Sequence, residues 1–353
     1  MNKLYGIIFC AICVIPCWLL GNMFPIIGAP IIAILSGMII AIFVKDKGIF
    51  ATGIKYTSKK ILQLAVIFLG FGLNLMTILE TGKQSLPIIV ATILTSLGVA
   101  YIVYKLFKVD SEVSILVGVG SSICGGSAIA ATAPVIKADD RGIAQAMSIV
   151  FFFNVVAALV FPTMGEMIGF DTTSGEAFGI FAGTAVNDTS SVTATASTWD
   201  SMWGLGSATL DKAVIVKLTR TLAIIPIVVG LSIYRQKKEQ KVALKNTQQL
   251  GDETAIAKEK INILKLLPTF IILFILASVV TTVVASFGIA ETTFAPAKIM
   301  SKYMIAMAMF AIGLETDIVH LIKTGGKPLM LGAFCWVSIT AVCILMQKLM
   351  GLL

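Results

Sequence analysis

The sequence has few charged residues for its length. Only 13% of its 353 residues are Asp, Glu, Lys or Arg, whereas a soluble domain carries roughly 25%. Hydrophobic residues make up 57%, and the mean hydropathy is +0.96. So little polar surface could not cover a water-facing globule of this size. The composition therefore excludes a soluble protein and predicts an integral membrane protein surrounded by the lipid bilayer.

Residues and motifs typical of enzymes are also scarce. The single histidine, His320, leaves no basis for a Ser-His-Asp triad or a histidine-rich metal centre. The glycine-rich stretches lack the lysine pattern and strand context of a nucleotide-binding loop. The six cysteines lie in apolar or glycine-rich surroundings, where cysteine usually behaves as a small hydrophobic residue. We predict no enzymatic activity, no cofactor and no metal, so any transport would be driven by ion gradients.

Apolar segments bounded by glycine, proline or charge divide the chain into membrane-length pieces. About eleven can be marked, at 4–20, 26–44, 60–79, 86–106, 112–135, 141–164, 175–198, 212–234, 263–287, 297–314 and 327–349. The one long hydrophilic stretch, 235–262, is rich in Lys, Gln and Glu and is predicted to be a cytoplasmic linker. The sequence thus predicts an all-α membrane protein forming a single domain, 1–353.

The net charge of +8 is concentrated in a few connections between these segments. Lys and Arg cluster after the second segment and after the eighth, as the positive-inside rule expects of cytoplasmic loops. This places the N-terminus in the cytoplasm and the C-terminus outside, and it explains the charge without a nucleic-acid partner. The fifth and seventh segments satisfy the same rule if they are re-entrant hairpins from opposite faces, and crossing as broken helices is also compatible. The sequence does not choose between these two arrangements.

Two stretches of the chain resemble one another. Residues 68–73 and 309–314 align without gaps through to Pro87 and Pro328. In the orientation given above, the two stretches cross the membrane in opposite directions. Oppositely oriented repeats are typical of secondary transporters, so an inverted-repeat transporter architecture is predicted.

The first polar interruption lies in the fifth segment, where residues 118–127 include four glycines and three serines. A helix break in the bilayer is tolerated only where the backbone is buried in protein or lines a watery cavity. A half-helix starting after the glycine pair would direct free N–H groups and a positive dipole end at that cavity, which suits an anion. Close helix packing by small residues is the alternative. The predicted substrate-binding residues here are Ser121, Ser122, Gly125, Gly126 and Ser127.

The second interruption, residues 183–193, lies in the seventh segment. Ionisable residues such as Asp188 are costly within a membrane and usually functional there. The surrounding hydroxyl and amide groups could bind Na⁺ or substrate, or the carboxylate could carry a proton; an external loop is the alternative. We predict ion or proton coupling by Asp188, Asn187 and Ser191. The predicted substrate-binding residues in this stretch are Thr184, Asn187, Thr189 and Ser190.

Two cations lie three residues apart in the eighth segment and therefore share one helical face. Lys217 and Arg220 could neutralise an anionic substrate, and they could equally pair with Asp188 or Asp211. The residue types do not decide between these roles. Asp139, Asp140 and Arg141, directly after the fifth segment, are expected to cap the next helix and to form salt bridges at the membrane interface.

These motifs resemble the YeiH-like sulfate exporter family. The resemblance rests on residues 121–131 followed by Pro134, on 183–190 and on 311–316, and it extends over nearly the whole chain. It implies a bacterial inner-membrane protein related to inverted-repeat transporters such as bile acid/sodium symporters and cation/proton antiporters. It also implies a core of crossed broken helices that moves against a scaffold.

Three functions are compatible with these features. The first, which the half-helix end and the paired cations favour, is alternating-access transport of a small anion such as sulfate, sulfite or a sulfonate. The second is Na⁺/H⁺-type exchange at Asn187 and Asp188, and the third is a ligand-binding sensor without transport. The expected partners are the small anion and the bilayer, and a homodimer is compatible with the sequence.

Overall fold

A computed structural model describes residues 2–24, 28–44, 46–234, 269–287, 291–316 and 326–353, and these residues contain helices and no strand. The fourteen helices used below are α1 (Asn2–Met23), α2 (Gly28–Phe43), α3 (Ala51–Tyr56), α4 (Leu62–Gly70), α5 (Leu75–Phe107), α6 (Ser111–Ser122), α7 (Gly126–Ile136), α8 (Asp140–Ile168), α9 (Glu176–Ala185), α10 (Thr189–Trp203), α11 (Ala208–Thr221), α12 (Thr269–Ser286), α13 (Ala295–Glu315) and α14 (Gly326–Leu349). After a turn at 222–223, helix resumes over 224–234. The predicted linker 235–262 and His320 lie outside the described residues.

Within the described residues, seven helices are long and apolar enough to cross a membrane. They are Lys3–Met23, Leu75–Phe107, Asp140–Ile168, Ala208–Tyr234, Thr269–Ser286, Ala295–Glu315 and Gly326–Leu349. α2 and α7 are shorter apolar helices. The predicted all-α membrane class is therefore confirmed.

The predicted boundary between the third and fourth segments is wrong. The pattern predicts helices over 60–79 and 86–106, whereas α4 ends at Gly70 and α5 begins at Leu75. Gly72 has φ +95°, and the side chain of Asn74 accepts a hydrogen bond from the N–H of Met76 at 2.9 Å. This cap starts a 33-residue helix that continues through Pro87. The polar residues after position 79 therefore lie within α5 and form no connection.

The fifth and seventh segments are re-entrant hairpins. Glu112, at the start of α6, accepts a hydrogen bond at 3.1 Å from the N–H of Asp139, which follows α7. Phe178, near the start of α9, stacks on Trp199, near the end of α10, with ring centroids 3.9 Å apart. Each chain segment therefore returns to the end where it entered. The two hairpin bases lie at opposite ends of α8, because one hairpin directly precedes that helix and the other follows it.

A polar cap begins α8, and a hydrogen-bonded turn follows its other end. Asp139 accepts a hydrogen bond from the N–H of Gly142 at 2.6 Å, which confirms its predicted capping role. Beyond the other end, side-chain hydrogen bonds from Ser174 and Thr173 hold the pKa of Asp171 well below its usual range. These bonds order the short connection that leads into α9.

The helices form two packed groups. The scaffold group consists of α1–α4, α12 and α13, and the core group of α5–α11 and α14. Within the scaffold, the Ser301 hydroxyl donates to the carbonyl of Ala65 at 2.6 Å, and Phe71 stacks on Phe294. These contacts show that α4 and α13, which carry the two similar stretches, run in opposite directions. Between the groups, α10 contacts α2 and α13.

Close glycine contacts hold α2 against α13. A Cβ added to Gly313 would lie 2.2 Å from the carbonyl oxygen of Ile34, and one added to Gly37 would lie 2.3 Å from that of Phe310. We expect Gly313→Ala to destabilise the protein by about 1–3 kcal/mol, because backbone must move to admit the methyl group. Thermal unfolding in detergent measures this cost.

The matched control for this substitution is Gly98→Ala in α5, where an added Cβ meets no atom of the described chain within 4 Å. Since alanine is the better helix former, that variant should be unchanged or more stable by up to about 1 kcal/mol. Equal midpoints for the two variants would show that the glycine contact contributes nothing to the scaffold.

Candidate functional site

The tips of the two hairpins, residues 123–125 and 186–188, touch one another. Gly125 has φ +68° and ψ −127°, a backbone conformation that is essentially restricted to glycine. A Cβ at this position would lie 3.2 Å from the Cβ of Asp188. Asn154, halfway along α8, accepts a hydrogen bond from the N–H of Asn187 at 3.0 Å. The tips therefore meet at the level of the middle of a membrane-length helix.

A cavity of about 480 Å³ lies against both tips, between the core and scaffold groups. Its core side carries polar groups from the hairpins and from α8, while Leu62, Val66, Phe270 and Ile312 contribute apolar scaffold surface. Among the residues near its mouth, Lys59 and Glu315 are exposed. The cavity continues past Phe151 and Met147 towards the end of α8 where the α6–α7 hairpin has its base.

Two half-helices begin at this cavity. α7 starts at Gly126 and α10 at Thr189, so the partial positive charge of each N-terminus faces the same space. Asp188 caps α10: its carboxylate accepts a 3.1 Å hydrogen bond from the N–H of Ser191 and a hydrogen bond from the Ser190 hydroxyl. The predicted site residues that line the cavity are Gly126, Ser127, Asp188, Thr189 and Ser190.

Lys217 lies behind the tips and is fully buried. Its ammonium group donates to the carbonyl oxygens of Ile123 at 2.7 Å and Val186 at 3.2 Å, and to that of Asn187. The first carbonyl belongs to the tip of the α6–α7 hairpin and the other two to the tip of the α9–α10 hairpin. Lys217 therefore joins the two tips to each other.

Arg220 also donates hydrogen bonds to backbone carbonyls, at the C-terminal end of α6. Its guanidinium donates to the carbonyls of Ser122 and Ser121 at 2.8 and 2.7 Å, and to that of Val186 at 3.3 Å. The last carbonyls of a helix have no partner within that helix, and their partial negative charge favours a nearby cation. The side chain is fully buried and does not line the cavity.

This geometry bears on both sequence-based interpretations of Lys217 and Arg220. Neither side chain lines the cavity, so neither is placed to contact a substrate directly. Their donors are taken up by backbone carbonyls rather than by carboxylates, and Asp211 instead pairs with Lys298 at 2.7 Å. Both cations position the hairpin tips.

Other predicted residues also lie behind the tips. Ser121 and Ser122 contribute backbone carbonyls to Arg220, and the Ser122 hydroxyl donates to the carbonyl of Val119 at 2.9 Å. The Thr184 hydroxyl donates to the carbonyl of Ile180 at 2.6 Å. Ser191 contributes its backbone N–H to Asp188. These residues shape the site without lining the cavity.

Asn187 stands apart from the other residues at the tips. Its side chain is 1% exposed, and its amide oxygen has no hydrogen-bond partner among the residues that the structure describes. A buried oxygen without a donor is costly and uncommon in a folded protein. This amide oxygen is available to a cation or to a hydrogen-bond donor.

Sequence reasoning missed several residues at the cavity. Asn154 is the clearest, since a lone asparagine within the apolar run 151–156 is itself a signal of a buried polar contact. Cys124 lines the cavity at the hairpin tip, whereas it was expected only to pack. In the sequence, Lys59 contributes only to the charge cluster that orients the chain, and Glu315 only to the family resemblance. Neither pattern predicts a residue beside the cavity.

The end of the molecule opposite the cavity mouth is closed by contacts between the two groups. Lys298 of the scaffold pairs with Asp211 of the core, and Lys302 donates to the carbonyl of Gly206. Among the described residues, these contacts lie between the tips and the end of the molecule opposite the cavity mouth.

Comparisons with known proteins show the family that this chain matches. Residues 5–332 match the family model described as conserved hypothetical protein 698. A UPF0324 membrane protein of Streptococcus mutans serotype c is 54% identical over 351 residues, covering 99% of this chain and 98% of the relative. A UPF0324 membrane protein of Fusobacterium nucleatum is 51% identical over 362 residues, covering 99% of each chain. No solved structure matches.

Proposed function

We propose that this chain, which belongs to the conserved hypothetical protein 698 family together with the UPF0324 membrane proteins, is a secondary transporter of a small anion. The observation that carries the proposal is the meeting of two opposed hairpin tips at a polar cavity between two helical groups. Broken helices whose ends face a substrate near the bilayer midplane are typical of secondary transporters.

Apart from the Asp188 carboxylate, the charges around the tips favour an anion. The N-termini of α7 and α10 each present a partial positive charge of roughly half an elementary charge. Lys217 and Arg220 neutralise the negative ends of α6 and α9, so those ends do not repel an anion at the tips. The N–H groups of Gly126 and Ser127 and the hydroxyls of the tips are suitable donors for sulfate, sulfite or a sulfonate. The resemblance to sulfate exporters agrees with this choice.

Alternating access would follow from movement of the core group against the scaffold group. The cavity is open at the end where the α6–α7 hairpin has its base, and the Lys298–Asp211 pair closes the other end. By the positive-inside rule, the open end is cytoplasmic. Breaking the outer contacts while closing the inner mouth would expose the same tips to the other side.

Na⁺/H⁺-type exchange is the second candidate, and one observation favours it. The amide oxygen of Asn187, which has no partner within the described part of the chain, belongs to the residue before Asp188. The α9–α10 tip therefore offers both an amide oxygen and a carboxylate to a cation. A sensor without transport would have no need for two hairpins entering from opposite ends, and we rank it below both transport functions.

Counterflow in proteoliposomes tests the proposal. Vesicles loaded with unlabelled sulfite, sulfate or methanesulfonate should accumulate the labelled anion, and Gly126→Leu should reduce that rate by at least about tenfold. Among the described residues, no atom lies within 4 Å of a Cβ added at Gly126, and this position lines the cavity, so a larger side chain is expected to extend into the cavity. Gly230→Leu is the matched control, because a Cβ added at Gly230 likewise meets no atom of the described residues within 4 Å.

Two results would count against the proposal. Absence of counterflow for all three anions, together with Na⁺-driven proton movement, would establish the second candidate instead. Full activity of Gly126→Leu would show that the substrate does not pass the α7 tip.

A further inference from the structure

The ammonium group of Lys217 has the surroundings of a bound monovalent cation. Three backbone carbonyl oxygens surround it, from Ile123 in one hairpin tip and from Val186 and Asn187 in the other. The side chain is fully buried, and it reaches this point from α11, which belongs to neither hairpin.

Carbonyl oxygens of unwound backbone and helix C-termini are the groups with which membrane transporters and channels bind Na⁺ or K⁺. Where two helices break at the same place, carbonyl oxygens of both breaks lie close together. Within a membrane these oxygens need a cation or a hydrogen-bond donor. In this chain the cation is the ammonium group of Lys217, which is covalently attached to the protein. Arg220 donates hydrogen bonds to the adjoining carbonyls of Ser121 and Ser122.

We infer that Lys217 is a tethered cation that occupies a monovalent-cation site between the hairpin tips. The tips therefore assemble without dissolved Na⁺, and transport, which rests on the function proposed above, is Na⁺-independent. Any coupling ion acts instead at Asp188, whose carboxylate lines the cavity and can exchange with solution. Lys217 is a positioning residue, because it lies behind the tips and does not line the cavity.

The inference predicts that removing the side chain creates a site for a free cation. Lys217→Ala keeps the three carbonyls and leaves space where the ammonium stood. Its unfolding midpoint in detergent should rise by about 5 °C when Na⁺, K⁺ or NH₄⁺ replaces N-methylglucamine at about 100 times the dissociation constant. The wild-type midpoint should change by less than about 1 °C in the same series, because its site is already filled.

Two control variants separate this effect from a general salt effect. Lys217→Met fills the space with an uncharged chain of similar length, so it should be destabilised and show no selective response to small cations. Lys212→Ala removes another cation of α11, one that pairs with Glu176 at 3.4 Å away from the tips, and it should respond like wild type.

The stability measurement needs no transport, so its failure is distinguishable from failure of the proposed function. A Lys217→Ala protein that folds but has the same midpoint in all salts would overturn the inference. If this variant does not accumulate, the test is made on the wild-type protein with and without Na⁺. A lower stability or several-fold slower counterflow without Na⁺ would overturn the inference. Unchanged stability and counterflow would support it.

Discussion

Replacing Arg220 by leucine is expected to abolish accumulation of folded protein. The carbonyls of Ser121 and Ser122 would lose the guanidinium that now serves them, while that of Val186 would retain Lys217. Each buried carbonyl left without a donor costs about 1–3 kcal/mol, and loss of a cation at a helix C-terminus adds up to about 2 kcal/mol. The total, about 2–8 kcal/mol, is comparable with the whole stability of a typical protein, about 5–15 kcal/mol.

Size-exclusion chromatography of a fluorescent fusion in detergent measures the monodisperse fraction. Arg220→Lys should recover part of the monodisperse fraction, because an ammonium group keeps the positive charge. It cannot, however, donate to all the carbonyls that the guanidinium now reaches. Arg141→Leu is the matched control, since Arg141 is exposed at the start of α8. A stable, monodisperse Arg220→Leu protein would show that the carbonyls find other donors, and it would remove Arg220 from the architecture of the tips.

The sequence predicted where the membrane helices are interrupted because the interrupting residues are locally distinctive. Glycines and serines between 118 and 127, and a carboxylate amid hydroxyls at 188, contrast with their apolar flanks. Re-entry could not be distinguished from crossing, because it depends on pairings between distant residues, such as Glu112 with Asp139. A half-helix has the same local pattern in both arrangements.

The roles of Lys217 and Arg220 show a second limit. Their spacing correctly indicated two buried cations on one helical face, and their partners were sought among carboxylates and substrates. The partners are backbone carbonyls, which every residue possesses and which leave no trace in the sequence. The predicted end of the third segment is wrong for a related reason. Within the run from 60 to 79, α4 ends at Gly70, before the extended residue Phe71 and the positive φ of Gly72.

Asp188→Asn is expected to abolish proton-driven uptake of the anion with little loss of folded protein. Asparagine is as good a helix cap as aspartate, so its side-chain oxygen can still accept the hydrogen bond from the N–H of Ser191 that now starts α10. What disappears is the negative charge at the cavity and the group that can take up a proton. Uptake driven by a pH gradient should therefore fall at least about tenfold, equivalent to about 1.4 kcal/mol.

Exchange of labelled for unlabelled anion should respond differently from net uptake. Because Asp188 places a negative charge beside the two helix N-termini, its neutralisation favours anion binding, and counterflow should persist or increase. Asp110→Asn makes the same chemical change at the cap of α6, where the side chain is exposed and accepts from the N–H of Glu112 at 2.8 Å; both activities should survive it. If Asp188→Asn retains proton-driven uptake, this carboxylate does not couple proton movement to transport. The N-termini of α7 and α10 would then form an anion site without a coupling group. Loss of exchange as well would place Asp188 among the groups that the substrate needs to bind.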